Sequence, residues 1–257
     1  MARSQTGMDL VPPARGAALA GATTALPGDL GSHANPAGNA AAVRRGFVFY
    51  AQEAYRLQAL RLTGVHSVVP LAWATVTGGL SAFGFEDYQE VYASAGVARG
   101  FALGTTRKVY AGARLRYYHT HISSYGSARA LGLSMGLLVA ALPTLHLGAQ
   151  LINLNAPSLT RDSSLPQVLA LGVAYQAHTS AQILLDLVKD IDFPLSVRSG
   201  LEVYPVPRLA LRVGVATEPT RFAAGAGLRV GRLRADLAAD RHLDLGWTPS
   251  IALGLQW

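Results

Sequence analysis

The sequence predicts an all-β fold: a transmembrane antiparallel β-barrel of about fourteen strands, preceded by a short N-terminal segment of different character. Three observations predict it. The first is period-2 alternation, clearest where Leu209, Leu211, Val213 and Val215 interleave with Arg208, Ala210, Arg212, Gly214 and Ala216; a strand between two different environments gives this pattern. The second is composition. Half of the 257 residues are apolar and 14% are charged, against roughly a quarter charged in an ordinary soluble domain. Yet 27 glycines and 13 prolines disfavour membrane helices, whereas a barrel needs apolar side chains at every second position only. The third is the spacing of turn signals, which cuts the chain into segments mostly as long as the ~9–11 residues that cross lipid at a tilt.

Residues 1–45 are rich in Ala, Gly and Pro without alternation. Arg15 to Ala25 predicts a short helix ended by Pro27 and Gly28, and Asn35-Pro36-Ala37-Gly38 reads as a turn. From Gly46 the turn signals delimit strands at 46–55, 58–69, 72–84, 89–103, 107–119, 127–141, 145–154, 167–177, 180–189, 195–204, 208–217, 221–230, 233–240 and 248–257. Leu195, Val197, Leu201 and Val203 lie opposite Ser196, Arg198, Gly200 and Glu202. Leu233, Ala235 and Leu237 lie opposite Arg234, Asp236 and Asp240, and Ile251, Leu253, Leu255 and Trp257 close the chain in the same way. One set of turns is tight: Pro70, Thr105-Thr106, Pro143-Thr144, His178-Thr179, Pro205-Val206-Pro207 and Gly231-Arg232. The other set includes longer loops, at 155–166 and 240–247. Short turns on one side and longer loops on the other follow the pattern of outer-membrane barrels, and an even strand count places both termini on the short-turn, periplasmic side.

Two rival folds fail on the same pattern. Stretches 62–85 and 130–160 carry no Asp, Glu, Lys or Arg, but Gly64, Pro70, Gly78 and Gly79 interrupt the first and Pro143 the second. Elsewhere Arg and Asp recur at period 2, which on a helix would put charge on every side. A soluble β-protein is disfavoured by the low charge. The chain has no cysteine, in keeping with an export route where an unpaired thiol is a liability. Residues 1–15 hold Arg3, Asp9 and Arg15 and no apolar run, so no export signal is legible there; the expectation is a mature chain or a late start codon. The net charge of +7 suits an acidic partner, and nothing in the sequence reads as a nucleic-acid-binding helix.

The run from Pro13 through Arg15 to Gly21 and Ala22, followed by Asn35, Pro36 and Gly38, resembles the opening of FadL-like and PorV-like outer-membrane proteins. The resemblance implies that residues 1–45 fold into the lumen as a hatch and that 46–257 form a barrel of fourteen strands. It offers two activities. FadL-like members resemble passive channels for hydrophobic molecules, and PorV-like members resemble accessory subunits of type IX secretion. Because the loops are short and the inward faces carry Gly, Ala and charges, the expectation is the second: a structural subunit of an outer-membrane complex, the alternative being a FadL-like channel. Expected surroundings are outer-membrane lipid, lipopolysaccharide, a protein partner and the barrel-assembly machinery, whose C-terminal signal Trp257 resembles.

On the polar faces Arg114, Arg116, Asp186, Arg198, Glu202, Arg212, Arg229, Arg234, Asp236 and Asp240 are expected to form a paired lumen network, because an unpaired buried charge is very unfavourable. Its expected role is to fix the hatch to the wall. Gly78 and Gly79 mark a possible strand kink, which the resemblance ties to a lateral path toward lipid. No catalysis, metal or cofactor is expected. Gly132-Leu133-Ser134-Met135-Gly136 matches a nucleophile pattern but lies in an alternating strand rather than at a strand-to-helix elbow. His119 and His121 share a face, yet no third ligand accompanies them.

Overall fold

The computed structural model describes residues 13–28, 30, 35–104, 107–160 and 163–257. Its strands, in chain order, are β1 Gly46–Glu53, β2 Arg61–Pro70, β3 Thr75–Phe85, β4 Tyr88–Leu103, β5 Arg107–Ile122, β6 Gly126–Leu142, β7 Leu145–Ile152, β8 Ser158–Thr160, β9 Ser163–Ser164, β10 Val168–His178, β11 Ala181–Asp190, β12 Ser196–Val206, β13 Leu209–Ala216, β14 Arg221–Val230, β15 Leu233–His242 and β16 Gly246–Gln256. Fourteen of them form one closed antiparallel barrel in which β1 pairs with both β2 and β16, while β8 and β9 make a separate two-stranded hairpin. Closure satisfies every strand edge, which a wall facing hydrocarbon requires. No helix among the described residues is long and apolar enough to cross a membrane.

Side-chain alternation sorts as expected. In β13, Leu211, Val213 and Val215 are open on the outer wall, whereas Ala210, Arg212 and Ala216 are buried inside. The same division runs around the barrel, with Leu80, Leu115, Leu131, Leu185, Leu237 and Leu253 all outward. Leu80→Arg and Ser81→Arg therefore separate the faces within one strand. Leu80 is mid-strand and 57% exposed to the outside, where Arg costs about 2–4 kcal/mol in such barrels. Ser81 is half-buried and faces the lumen. Folding yield into vesicles is expected to collapse for Leu80→Arg and to hold for Ser81→Arg; equal yields would refute the assignment of faces.

Both chain ends of the barrel lie at one rim, since Gly46 pairs with Gln256. At that rim the connections are short. At the opposite rim the connection from β7 to β10 is the longest, and there the structure adds the β8–β9 hairpin within a segment expected to be a plain loop. The tight turn expected at Thr105-Thr106 lies outside the described residues.

The described residues between 13 and 41 pack inside the barrel. They form helix α1, Ala14–Ala18, a turn with Gly21 at φ +81°, and a 3₁₀ segment, Pro36–Ala41. The helix is shorter than the sequence predicts. It stops at Ala18 because Ala20 and Gly21 turn left-handed and the Gly21 N–H closes back on Gly16 O at 2.9 Å; beyond that turn the backbone N–H groups of Thr23 and Thr24 both donate to the Asp186 carboxylate, each at 2.9 Å.

Cross-strand glycine pairs make room for this segment. Gly200 pairs with Gly214, and a Cβ at Gly200 would lie 3.0 Å from the Leu19 side chain. Gly112 pairs with Gly136, where a Cβ on Gly112 would lie 2.6 Å from the Pro36 backbone. The small inward residues that read as a generic lumen lining are thus the seats of the N-terminal segment.

Candidate functional site

Three structures inside the barrel define the candidate site: an ionic clamp on the N-terminal segment, an apolar cluster at the far mouth, and a sector of small residues between β2 and β4.

The clamp is a chain of charges. Arg15 on α1 forks onto Glu202 of β12, Nε to Oε1 at 3.0 Å and an Nη to Oε2 at 2.6 Å. Glu202 also accepts from Arg212, Gln182 and Tyr204. Arg212 bridges onward to Asp236 at 2.8 Å, and Asp236 accepts from Arg234. Glu202 is fully buried, so each of its lone pairs needs these donors.

Asp186 holds the Thr23–Thr24 turn as described, and Arg221 joins Asp240 at 2.7 Å. Asn35 fixes the second half of the segment: its Nδ2 donates to Thr24 O at 2.7 Å and to Leu137 O on the wall at 3.1 Å, while its Oδ1 accepts from Ala37 N at 3.0 Å. Pro36 packs on β5 and β6, and Gly28 N donates to Gly38 O at 2.7 Å. Pro13 O caps the first turn of α1, accepting from Gly16 N at 2.7 Å.

The structure thus joins Arg15, Glu202, Arg212, Asp236 and Arg234 into one chain. Arg198 lies beside Gly21, and Arg114 and Arg116 are buried on β5. Arg229 is not with them. It continues the inward register of β14 but sits exposed at the rim, opposite Arg234. Composition marked the charges but not their partners: Arg15 meets a glutamate 187 residues away, and Thr23 and Thr24 gave no signal at all.

At the far mouth, Tyr92 of β4 and Tyr118 of β5 pack edge-on with ring centroids 5.5 Å apart, and Leu165 from the β7–β10 connection closes on both. Phe83, Ala130 and Leu159 complete the cluster, and Tyr88 stacks on Phe83 at 6.4 Å. The connection is drawn inward by Asn153, which accepts from Tyr118 Oη at 3.0 Å and donates to Pro166 O at 2.9 Å.

Below this cluster the inward residues of β2–β4 include the half-buried Gly64, Thr77, Gly79, Ser81, Ser94 and Gly96, with the buried His66 opposite Gly79. Gly79 faces the lumen and Gly78 faces outward. The ladders on both sides of β3 run through the two glycines without a register shift, so the strand carries no bulge there. With no bulge in the strand, the two residues keep normal alternation. On the outer wall against this sector lies an apolar groove of about 580 Å³, lined by Phe49, Ala51, Val65, Leu80, Val91 and Leu253.

Other sequence candidates resolve simply. Ser134 is buried mid-strand in β6 with Gly132 and Gly136 packed against Asn153 and Asn35, so no elbow exists. His121 bonds Ser127 at 2.9 Å, and no metal-binding cluster occurs among the described residues. Trp257 donates its N–H to Arg45 O at 3.0 Å and packs edge-on against Phe47.

No family model and no curated protein sequence matches the chain. Solved structures do. The toluene transporter TbuX of Ralstonia pickettii matches at TM-score 0.66 and 12% identity, over 96% of this chain and 97% of its own. A Pseudomonas aeruginosa FadL homologue matches at 0.64 and 11%, over 96% and 98%. The Pseudomonas putida toluene transporter TodX matches at 0.60 and 11%, over 94% and 95%.

These neighbours share the fold over 94–96% of the chain, and TbuX and TodX are described as toluene transporters. That overturns the expectation of a PorV-like secretion subunit. The expectation rested on loops too short to cover a pocket and on a lumen of Gly, Ala and charge. The structure folds the β7–β10 connection into the mouth and gathers Phe83, Tyr92, Tyr118 and Leu165, which are far apart in sequence.

Proposed function

We propose that this protein is a passive outer-membrane channel for small hydrophobic molecules, monoaromatic hydrocarbons among them. The observation that carries the reading is the aromatic cluster of Phe83, Tyr88, Tyr92 and Tyr118 facing inward beneath Leu165. Binding sites for apolar ligands are concave, mostly apolar and lined by aromatics with a few placed polar groups, and here the three tyrosine hydroxyls supply the polar edge. From the cluster, the inward small residues of β2–β4 line the barrel beside the N-terminal segment, and the reading takes this side of the hatch as the route. The neighbours' transport of toluene supports this substrate class. The reading places both termini in the periplasm and the aromatic mouth outside the cell. It needs no catalytic group or cofactor: a hydrophobic solute moves down its own gradient, and the protein supplies a route past the polar leaflet surface.

The test is accumulation of labelled toluene by cells with and without the protein in their outer membrane. Faster accumulation with the protein is expected. Gly79→Val and Leu165→Asp should each reduce it toward the background of cells lacking the protein. A Cβ at Gly79 already lies 2.9 Å from Ser94 Oγ and 3.3 Å from His66 Nδ1, so the valine methyl groups intrude on the small-residue sector. Leu165→Asp places a carboxylate against the tyrosine pair. Equal accumulation in cells with and without the protein, verified as folded by heat-modifiable gel migration, would refute the channel.

A further inference from the structure

The barrel's charges are divided unequally between its two rims. At the rim that carries the chain ends, Arg44 and Arg45 precede β1, Arg107 and Lys108 open β5, and Arg208 and Arg232 occupy turns. Arg99 and Arg229 complete the ring near the ends of β4 and β14. All eight are exposed, and the turns of this rim contain no Asp or Glu among the described residues. The opposite rim holds Glu53, Glu86, Asp87, Asp190, Asp192, Glu218 and Asp244 among its basic residues. The net charge of +7 is therefore concentrated in one ring rather than spread over the molecule.

The ring merges with the apolar wall. Arg45, Arg99 and Arg107 continue the outward register of β1, β4 and β5, the same register that carries Phe47, Val97, Phe101 and Leu115. The Arg99 guanidinium lies 5.6 Å from the ring of Phe101, itself half exposed. Trp73 and Trp257 are exposed at the same rim. Aromatic rings and long cations side by side at the end of an apolar band occupy the headgroup level of a bilayer, where Arg reaches phosphate while its stem stays in the apolar layer.

We infer that this rim binds anionic glycerophospholipid headgroups, phosphatidylglycerol in type, in the leaflet that meets the chain ends. The alternation of cation and apolar side chain fits a lipid that offers a phosphate above acyl chains, and it fits a soluble acidic protein poorly, since such a partner supplies no apolar layer for Phe101 and Leu103. The inference rests on the membrane-spanning fold and not on transport, so it survives if the channel reading fails.

Lipid selectivity can be read by tryptophan quenching. Trp73 and Trp257 report the cationic rim, while Trp247, on the outward face at the start of β16, reports the other. Trp247→Phe protein is reconstituted in phosphatidylcholine vesicles containing a minority of phosphatidylglycerol, with bromine on the acyl chains of one lipid at a time. Quenching is expected to exceed the phosphatidylglycerol mole fraction, corresponding to a relative affinity of about fivefold for each cation engaged. High salt should weaken it. Substituting Arg45, Arg99, Arg107 and Arg232 by Gln should return quenching to the mole fraction. These residues are exposed, so folding is expected to persist and is checked by heat-modifiable migration.

The Trp73→Phe/Trp257→Phe protein, which reports Trp247, should show less preference. Quenching at the mole fraction in the Trp247→Phe protein would overturn the inference. So would equal preference at both rims, or preference that survives the four Gln substitutions. Stronger selection of a brominated lipid A than of phosphatidylglycerol at the Trp73–Trp257 rim would overturn the assigned source.

Discussion

Replacing Glu202 by Gln is expected to lower stability more than any other single neutral substitution in the lumen. Glu202 is fully buried and is shared by Arg15, Arg212, Gln182 and Tyr204. Removing its charge leaves Arg15 without a carboxylate at this position and leaves Arg212 to rely on Asp236 alone. Breaking one partner out of a buried ion pair costs about 3–5 kcal/mol because the remaining charge stays buried and uncompensated. The urea midpoint for unfolding from detergent micelles should fall accordingly.

Arg15→Leu should cost less, since Glu202 then keeps three donors and the leucine is apolar in a closed site. Adding Arg15→Leu to Glu202→Gln should recover part of the loss, because it removes the stranded guanidinium. A Glu202→Gln protein with unaltered stability would mean that the clamp does not hold the segment to the wall.

Deleting residues 1–41 is expected to leave a folded barrel with a large increase in single-channel conductance in planar bilayers. The segment contributes no strand to the barrel, whose ladder closes through β1 and β16 without it. Its removal empties the seats at Gly112, Gly136, Gly200 and Gly214, and water enters to solvate Asp186, Arg198 and Glu202. Those side chains then tolerate the loss because they are no longer buried. Heat-modifiable migration checks the fold, and conductance checks the occlusion. Unchanged conductance in a folded deletion protein would show that the segment does not close the lumen.

The two experiments also bear on each other. If the clamp is what keeps the segment seated, Glu202→Gln should produce conductance flicker toward the level of the deletion protein, whereas Leu80→Ala, on the outer wall, should not.

Much of this architecture was legible in the chain itself. Period 2 is a local property: Leu211 and Ala210 face opposite environments whatever surrounds them, so strand type, strand number and the identity of the outer face follow from neighbours in sequence. The turn residues are local as well: the tight connections at Pro143-Thr144 and Gly231-Arg232 fall between paired strands as expected, and Pro70 is the last residue of β2. Charge count and its clustering in particular turns are equally local. Those signals sufficed to reach a closed barrel of fourteen strands.

The interior was decided by the tertiary structure. An inward glycine reads the same whether it lines water or seats a backbone; only the pairing of Gly200 with Gly214 across two strands, under Leu19, tells which. The helix expected over residues 15–25 ends early because Ala20 and Gly21 turn left-handed, after which Asp186, more than 160 residues away, holds the N–H groups of Thr23 and Thr24. At Gly78-Gly79 both neighbouring strands hold β3 in register, so no bulge forms. Above all, Phe83, Tyr92, Tyr118 and Leu165 carry no shared sequence pattern. They meet because the register of β3, β4 and β5 sets Tyr92 opposite Tyr118 with Phe83 diagonal to it, and Asn153 turns a polar loop back over them. Local alternation tells each side chain in from out, but only the pairing register and the folding back of the loop determine which inward side chains touch, and the functional reading depends on those contacts.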